Sequence, residues 1–498
     1  MSLNLISDAW IPARCKDGTR TVIAPWQMAD PALDFPDWPR PDLNIACLEL
    51  LIGLVFISDP PANAEEWEAR QTPDPERLRA QLAPFAPAFK LLGDGPRFMQ
   101  DLEKLEDEGR GANPPDMLFI DSAGGQTARN NADLMVRRGR YPALEPALAA
   151  MALYTLQAHA PSGGAGNRTS MRGGGPMVTL VDPGGGVWPL IWANVPDGAP
   201  AAPDALPWMR PVRSSEKAQQ VFAQDAPALE AFFGMPRRLR LLAEDGHVTG
   251  VVQKPFGANY AGWEHPLTPH YRVKAGGDLL PRHPRAGHFG YRNWLGIIAR
   301  RAGDGSDLAR RAWVLDHWAE RGEGRHAEVI VAGWSMDNMK PRDFVWSRAP
   351  LIELSDAMAE RMEGMVEAAD ALELALRRAL GPVLAEGSAR DAVREDFYRR
   401  TQPGFEQHLS ALTAVNSDPV AVSRGWLNDM RRAALDIFDT LALPGLAERD
   451  TRDQAEIVSA RRNLMAAFAG YGPKTGALAY ARLGLDVPQA KRRGKEPA

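Results

Sequence analysis

Residues 354–380, LSDAMAERMEGMVEAADALELALRRAL, set Leu354, Met358, Met362, Met365, Ala369, Leu372, Leu376 and Leu380 three or four positions apart. That spacing gathers them on one stripe of a helix and leaves acids and arginines on the other faces, the pattern of a helix packed along one side. Three more helices are expected downstream, over about 391–415, 419–441 and 453–468. Asp418-Pro419 offers an N-cap followed by a first-turn proline, and Thr451-Arg452-Asp453-Gln454 has capping-box form. Four such helices with short connections predict an antiparallel four-helix bundle over 351–485, followed by a basic flexible tail at 486–498.

Upstream the pattern changes, and residues 1–350 read as a large, irregular, mixed α+β N-terminal domain. Strands are expected at 10–13 and 21–24 around a Lys16-Asp17-Gly18 turn, then helices at 43–57, 64–71 and 75–92. Residues 113–140 read as a long functional loop, ahead of an apolar helix at 142–157. Further strands are expected at 177–181, 187–194, 248–253 and 271–274, among Pro- and Trp-rich loops.

A chain of 498 residues buries more than one core, which agrees with two domains. Its two cysteines, Cys15 and Cys47, allow at most one disulfide and fit a reducing cytoplasm. The most apolar stretch, 48–57, is half the roughly 20 residues a membrane span needs, and no basic-then-apolar leader precedes it, so neither export nor a membrane partner is expected. Net charge is −5, whereas a domain that grips nucleic acid unaided is usually strongly basic. Basic residues still cluster at Arg137-Arg138-Gly139-Arg140, Arg237-Arg238-Leu239-Arg240, Arg399-Arg400, Arg431-Arg432 and Lys491-Arg492-Arg493, which leaves room for local positive surfaces.

Catalytic motifs are hard to find. Gly472-Pro473-Lys474-Thr475 puts a proline where a phosphate-binding loop needs an N–H, and reads as a loop. Gly333-Trp334-Ser335-Met336-Asp337 has an acid where a nucleophile elbow needs its second glycine. His265 with His270, and His283 with His288, lack metal-site spacing and thiolate company, so they read as loop or core histidines. No catalytic residue, cofactor or metal is assigned.

One segment stands out: Pro161-Ser162-Gly163-Gly164-Ala165-Gly166-Asn167-Arg168, followed by Arg172-Gly173-Gly174-Gly175-Pro176. Glycine there serves a wide turn, or a backbone that must approach something closely; a DNA minor groove, only about 6 Å wide, is one such place.

With these residues in view, the chain resembles the large subunit of the type I-E CRISPR Cascade complex, the CasA family. The resemblance runs through Asn4-Leu5-Ile6-Ser7-Asp8-Ala9-Trp10-Ile11-Pro12, Phe98-Met99-Gln100, Asn131-Ala132-Asp133-Leu134, Ala160-Pro161 and Asp396-Phe397-Tyr398-Arg399. It covers nearly the whole chain, and the order and spacing of these pieces carry it.

The resemblance implies an RNA-guided assembly in which this subunit checks a short flanking motif, the PAM, on double-stranded target DNA before guide pairing begins. The partners it implies are the other Cascade subunits, CRISPR RNA, double-stranded DNA and a helicase-nuclease. It sets the PAM-reading loop on Ser162, Gly163 and Gly164, with serine in place of the usual first glycine. A minor-groove lysine falls in 251–256, where an ungapped match lands on Pro255 and a one-residue gap selects Lys254. The wedge that parts the first base pairs maps to Asp337, Asn338 and Met339; without the resemblance Met336 to Met339 reads as a helix start. Arg137, Arg138 and Arg140 match a loop that contacts guide RNA and a neighbouring subunit, with Tyr141 available for stacking. Some members bind a metal through four cysteines that this chain lacks.

Two other readings stay open: a hydrolase with a carboxylate site in the N-terminal domain, and a scaffold whose bundle binds proteins while its loops ignore DNA.

Overall fold

The computed structural model describes residues 3–488 apart from 106–110, 123, 125, 126, 128, 132, 134, 135, 165, 300–307, 323, 352, 353 and 415. Two compact units result, one from 3–286 with 308–351 and one from 287–299 with 354–488. Residues 287–299 therefore leave the expected 1–350 domain and join the helical unit.

The first unit opens on the hairpin β1 (Ile11–Cys15) and β2 (Arg20–Ile23), with β3 (Leu33–Pro36) on the other edge of β1. Gly18 at φ 86° and the Asp17 carboxylate, accepting from Thr19 N at 2.9 Å, close the turn. α1 (Pro41–Ser58) starts on a first-turn proline and is apolar on nearly every face, as a central core helix must be. By length and composition it could cross a membrane, yet it is mostly buried inside the unit.

α2 (Ala64–Ala69) and α3 (Pro75–Leu82) follow. The helix expected over 75–92 stops at Leu82, because Pro84 and Pro87 withhold N–H groups and leave a 3-10 turn over Ala83–Ala88. α4 (Pro146–His159) leads into the glycine segment, and β4 (Val178–Asp182) follows it. The strand expected at 187–194 is instead α5 (Val187–Ala193), buried on almost all sides; such a short, wholly apolar run has no periodicity to choose between the two forms.

β5 (Arg238–Glu244) and β6 (His247–Lys254) form a hairpin on the positive-φ pair Asp245 and Gly246. β7 (His270–Tyr271), β8 (Leu280–Pro281) and β9 (Ala309–Arg310) make a small sheet, so the strand expected at 271–274 shrinks to two residues. α6 (Trp313–Arg321) precedes the long hairpin β10 (Glu328–Asp337) and β11 (Lys340–Pro350), whose β10 also pairs with β4.

The second unit is the four-helix bundle, α7 (Asp356–Ala379), α8 (Ser388–Leu412), α9 (Pro419–Ala442) and α10 (Thr451–Phe468). Asp418 caps α9 by accepting from Val420 N and Ala421 N. α10 is capped by Asp450 accepting from Asp453 N at 2.8 Å, one residue ahead of the expected Thr451. Gly472–Gly476 forms a π-helical turn where a loop was expected, and it starts the short α11 (Ala477–Leu483). α11 lies so close to α7 that a Cβ on Gly364 would stand 2.2 Å from Arg482 O. Residues 287–299 are held by Tyr291, which stacks on Phe405 at 4.2 Å and shares a 2.9 Å hydrogen bond with Thr401. Of the expected tail, 486–488 are described, and Lys491, Arg492 and Arg493 lie outside the described residues.

Candidate nucleic-acid interface

The glycine segment rests on a buried ionic cluster. Glu49, in the middle of α1, takes the His159 Nε2 of α4 at 2.6 Å and the Arg172 guanidinium at 2.6 Å, with every side chain 3% exposed or less. Burial pushes the Glu49 carboxyl up, but Arg172 and His159 outweigh it and bring it down to about 2. Burial and the Arg172 charge push the neighbouring His265 well down, so it is neutral. Arg172 is thereby fixed, and Gly173, Gly174 and Gly175 run on from it.

Those glycines let two other segments come close. A Cβ on Gly175 would stand 2.5 Å from Trp334 O of β10, at a φ of 63°. A Cβ on Gly174 would stand 2.7 Å from Pro161 Cα and 3.2 Å from Met339 Sδ. The start of the glycine turn and the tip of the β10–β11 hairpin thus meet across Gly174.

Ser162, Gly163 and Gly164 are exposed. Gly163 N donates to Asn167 O at 3.2 Å, Asn167 N donates to Gly164 O at 2.9 Å, and Gly164 sits at φ 80° with open space where a Cβ would point. Ala165 lies outside the described residues. Beneath the turn, Arg237 donates to Pro161 O, and its Nη1 is 2.7 Å from where a Gly163 Cβ would be. Buried and without a carboxylate partner among the described residues, this guanidinium is pushed down to about 10 and stays charged at neutral pH. By sequence Arg237 belongs to a surface basic run, and its tie to Pro161 spans 76 positions that no local pattern reports.

The end of β6 is fastened to the same turn. Phe256 N donates to Gly166 O at 2.8 Å, and Gln253 Nε2 donates to Asn167 Oδ1 at 3.0 Å. Lys254 stands opposite Arg238 in the β5–β6 register, and both reach the Glu103 carboxylate, at 3.6 and 2.7 Å. Lys254 is therefore a paired, mostly covered side chain and not an ordinary solvated strand lysine.

Asp337, Asn338 and Met339 occupy the exposed hairpin tip, where the residues alone suggested a helix start. Asn338 at φ 49° and Met339 at φ 62° form a two-residue turn of the kind that matches strand twist. Asn338 Nδ2 donates to Asp337 Oδ1 at 3.0 Å, and Arg342 pairs with Asp337 at 2.8 Å.

In the basic loop, Arg137 and Arg138 are exposed, and Arg138 pairs with Asp133 at 2.5 Å. Arg140 is committed inward, sharing Asp121 with Arg40 at 2.8 and 3.1 Å. Tyr141 is not free for stacking: it already lies on Phe119 at 4.3 Å and 20°, with the Arg140 guanidinium 4.9 Å from its ring. Among the described residues this loop bonds to Asp116, Asp121 and Asp133, not to the glycine turn. Ala132, Leu134 and Met135 lie outside the described residues.

The other candidates are structural. Ser335 is buried within β10 opposite Asp343, and the deeply buried acids Asp42, Glu49 and Asp101 each face an arginine. Among the described residues no three His, Cys, Asp or Glu side chains gather in a way that could hold a metal.

The family model of the CRISPR-associated protein Cse1 matches residues 4–437. The chain belongs to the Cse1 family. Cse1 and CasA name the same large subunit of type I-E Cascade that the sequence resembles. Solved structures agree in fold: CasA of Thermus thermophilus is 18% identical with a TM-score of 0.72, covering 94% of this chain and 99% of that one. Cse1 of Acidimicrobium ferrooxidans is 19% identical at TM-score 0.71, over 98% and 99%. A chain of a structure described as a CRISPR RNA-guided surveillance complex is 17% identical at TM-score 0.68, over 93% and 99%.

Proposed function

We propose that this Cse1 chain reads the PAM in double-stranded DNA within a cytoplasmic Cascade complex, starts duplex opening for R-loop formation and catalyses nothing itself. Ser162–Gly164 main chain enters the minor groove, Lys254 steadies the duplex there, and Asp337, Asn338 and Met339 part the first base pairs. Exposed Arg137 and Arg138 supply phosphate contacts to CRISPR RNA, and the bundle helps recruit the helicase-nuclease.

The observation that carries this reading is the meeting of the two exposed elements across Gly174, since a groove-reading turn and a strand-parting tip must act on adjacent base pairs. The arginine partners of the buried acids count against a hydrolase, because a carboxylate so paired is a poor general base.

The test uses Cascade reconstituted with guide RNA, carrying Lys254→Ala or Asn338→Ala, on a PAM-bearing duplex and on the bare target strand. The expected result is weakening of about tenfold or more on the duplex, equivalent to about 1.4 kcal/mol, with the single strand bound as before. Equal behaviour on both substrates removes the duplex-reading role and leaves the scaffold reading.

A further inference from the structure

A cavity of about 370 Å³ opens elsewhere on the first unit, between β1, β3, the glycine turn 184–186 and β11. It shares no residue with the PAM-reading elements. Trp346 lines it, 37% exposed, with Phe35 packed edge-on at 5.6 Å and 68°. Arg14 and Arg348 line it too.

The carboxylates beside them are already engaged. Asp182, 8% exposed, accepts from Gly184 N at 2.9 Å and from Arg348 at 2.5 Å, while Glu328 takes Arg348 at 3.0 Å. Asp34 accepts from Arg14 at 3.1 Å. These contacts set the direction of each guanidinium and leave other N–H groups for a ligand, since a guanidinium carries five. One wall is bare main chain: residues 184, 185 and 186 lie at φ 77°, 88° and 108°, and a Cβ on Gly186 would stand 2.2 Å from Leu33 O.

The contents select a ligand class. A simple anion would use the guanidiniums and ignore the indole, and an apolar ligand would do the reverse. A planar ring joined to a phosphate uses both, and the volume suits a ligand of that size. We infer that this cavity binds one unpaired nucleotide unit, with its base on Trp346 and its phosphate on Arg14 and Arg348. Two sources share that chemistry: a free nucleoside monophosphate and one nucleotide of a single strand.

The full chain is titrated calorimetrically with CMP, cytidine and a single-stranded oligodeoxycytidine hexamer. Trp346→Ala is expected to weaken CMP and hexamer by about tenfold or more, while Trp346→Phe, which keeps an aromatic face and guards against a folding artefact, stays within about threefold of wild type. Arg14→Gln should weaken CMP several-fold and leave cytidine unchanged. Hexamer binding far tighter than CMP assigns the site to a strand; equal affinity assigns it to the free nucleotide. The inference is overturned if the wild type binds neither CMP nor hexamer at millimolar concentration, or if Trp346→Ala binds both as the wild type does. Because no PAM, duplex or guide enters the assay, failure here leaves the duplex-reading proposal standing.

Discussion

Arg237-Arg238-Leu239-Arg240 and Arg137-Arg138-Gly139-Arg140 are near twins in composition, and they part company in the fold. In the first run all three arginines are at most 6% exposed; Arg238 and Leu239 open β5, Arg238 pairs with Asp101 and Glu103, and Arg237 props up the glycine turn. In the second, Arg137 and Arg138 stand in water, and only Arg140 turns inward. What separates them is the exposure of the arginines themselves: both partner carboxylates are covered, Asp101 with no exposure and Asp133 at 6%, but Arg238 is buried with its partner whereas Arg138 keeps 54% of its side chain exposed. A basic run is therefore open to the nucleic-acid contact proposed above only where its arginines are not themselves buried in the core. The molecule has a scaffold of buried charges under a face of small and exposed residues, and the two should respond oppositely to substitution.

The sharpest separation comes from methionine at matched positions. Arg238→Met leaves the Asp101 carboxylate buried and unpaired and is expected to cost about 3–5 kcal/mol in denaturant unfolding of the first unit. Arg138→Met should leave the unfolding midpoint where it is. Equal midpoints for the two variants would erase the distinction between scaffold and face.

Glu49 extends the comparison to pH. Its carboxyl lies at about 2 in the fold against an ordinary value of 4.5, so the unfolded chain takes up the proton first as pH falls. The stability it contributes is complete above about pH 4.5 and is lost as pH falls toward 2, amounting to about 3 kcal/mol. Glu49→Gln should flatten that part of the stability profile relative to wild type, as measured by urea unfolding across the acid range. An unchanged slope would mean that Glu49 is not what the acid attacks.

The same distinction explains how much was legible in the sequence. The bundle was readable because its stripe, its capping aspartate at 418 and its proline at 419 are all local signals. The sequence conceals helix α5 because Val187–Ala193 is apolar on every side, and it overextends α3 because Leu78, Leu82, Phe85 and Phe89 keep helical spacing across Pro84 and Pro87. β5 was hidden by its own arginines, which look like surface until Asp101 and Glu103 are seen beside them. At the candidate site, the glycine turn could be recognised as exposed main chain. The contacts that fix it could not, since Arg237 with Pro161, Lys254 with Glu103 and Gly174 with Met339 join residues far apart in the chain.

The smallest expected effect falls at the hairpin tip, where structure and proposed role pull in opposite directions. Met339 holds φ 62° in a two-residue turn whose preferred pair is Asn-Gly, and Asn338 already supplies the first member. A side chain in that conformation costs about 1 kcal/mol relative to glycine, and Met339, 46% exposed, buries too little to offset it. Met339→Gly is therefore expected to raise stability by about 1 kcal/mol in denaturant unfolding. In reconstituted Cascade the same change removes the apolar group proposed to enter the base stack, so opening of a PAM-bearing duplex should slow, as read by a fluorescent base beside the PAM. A loss of stability would show that the Met339 thioether works by packing near Gly174, which moves it from the face to the scaffold. A gain in stability with opening at the wild-type rate would leave the strained methionine without a job, and the wedge would have to rest on Asp337 and Asn338.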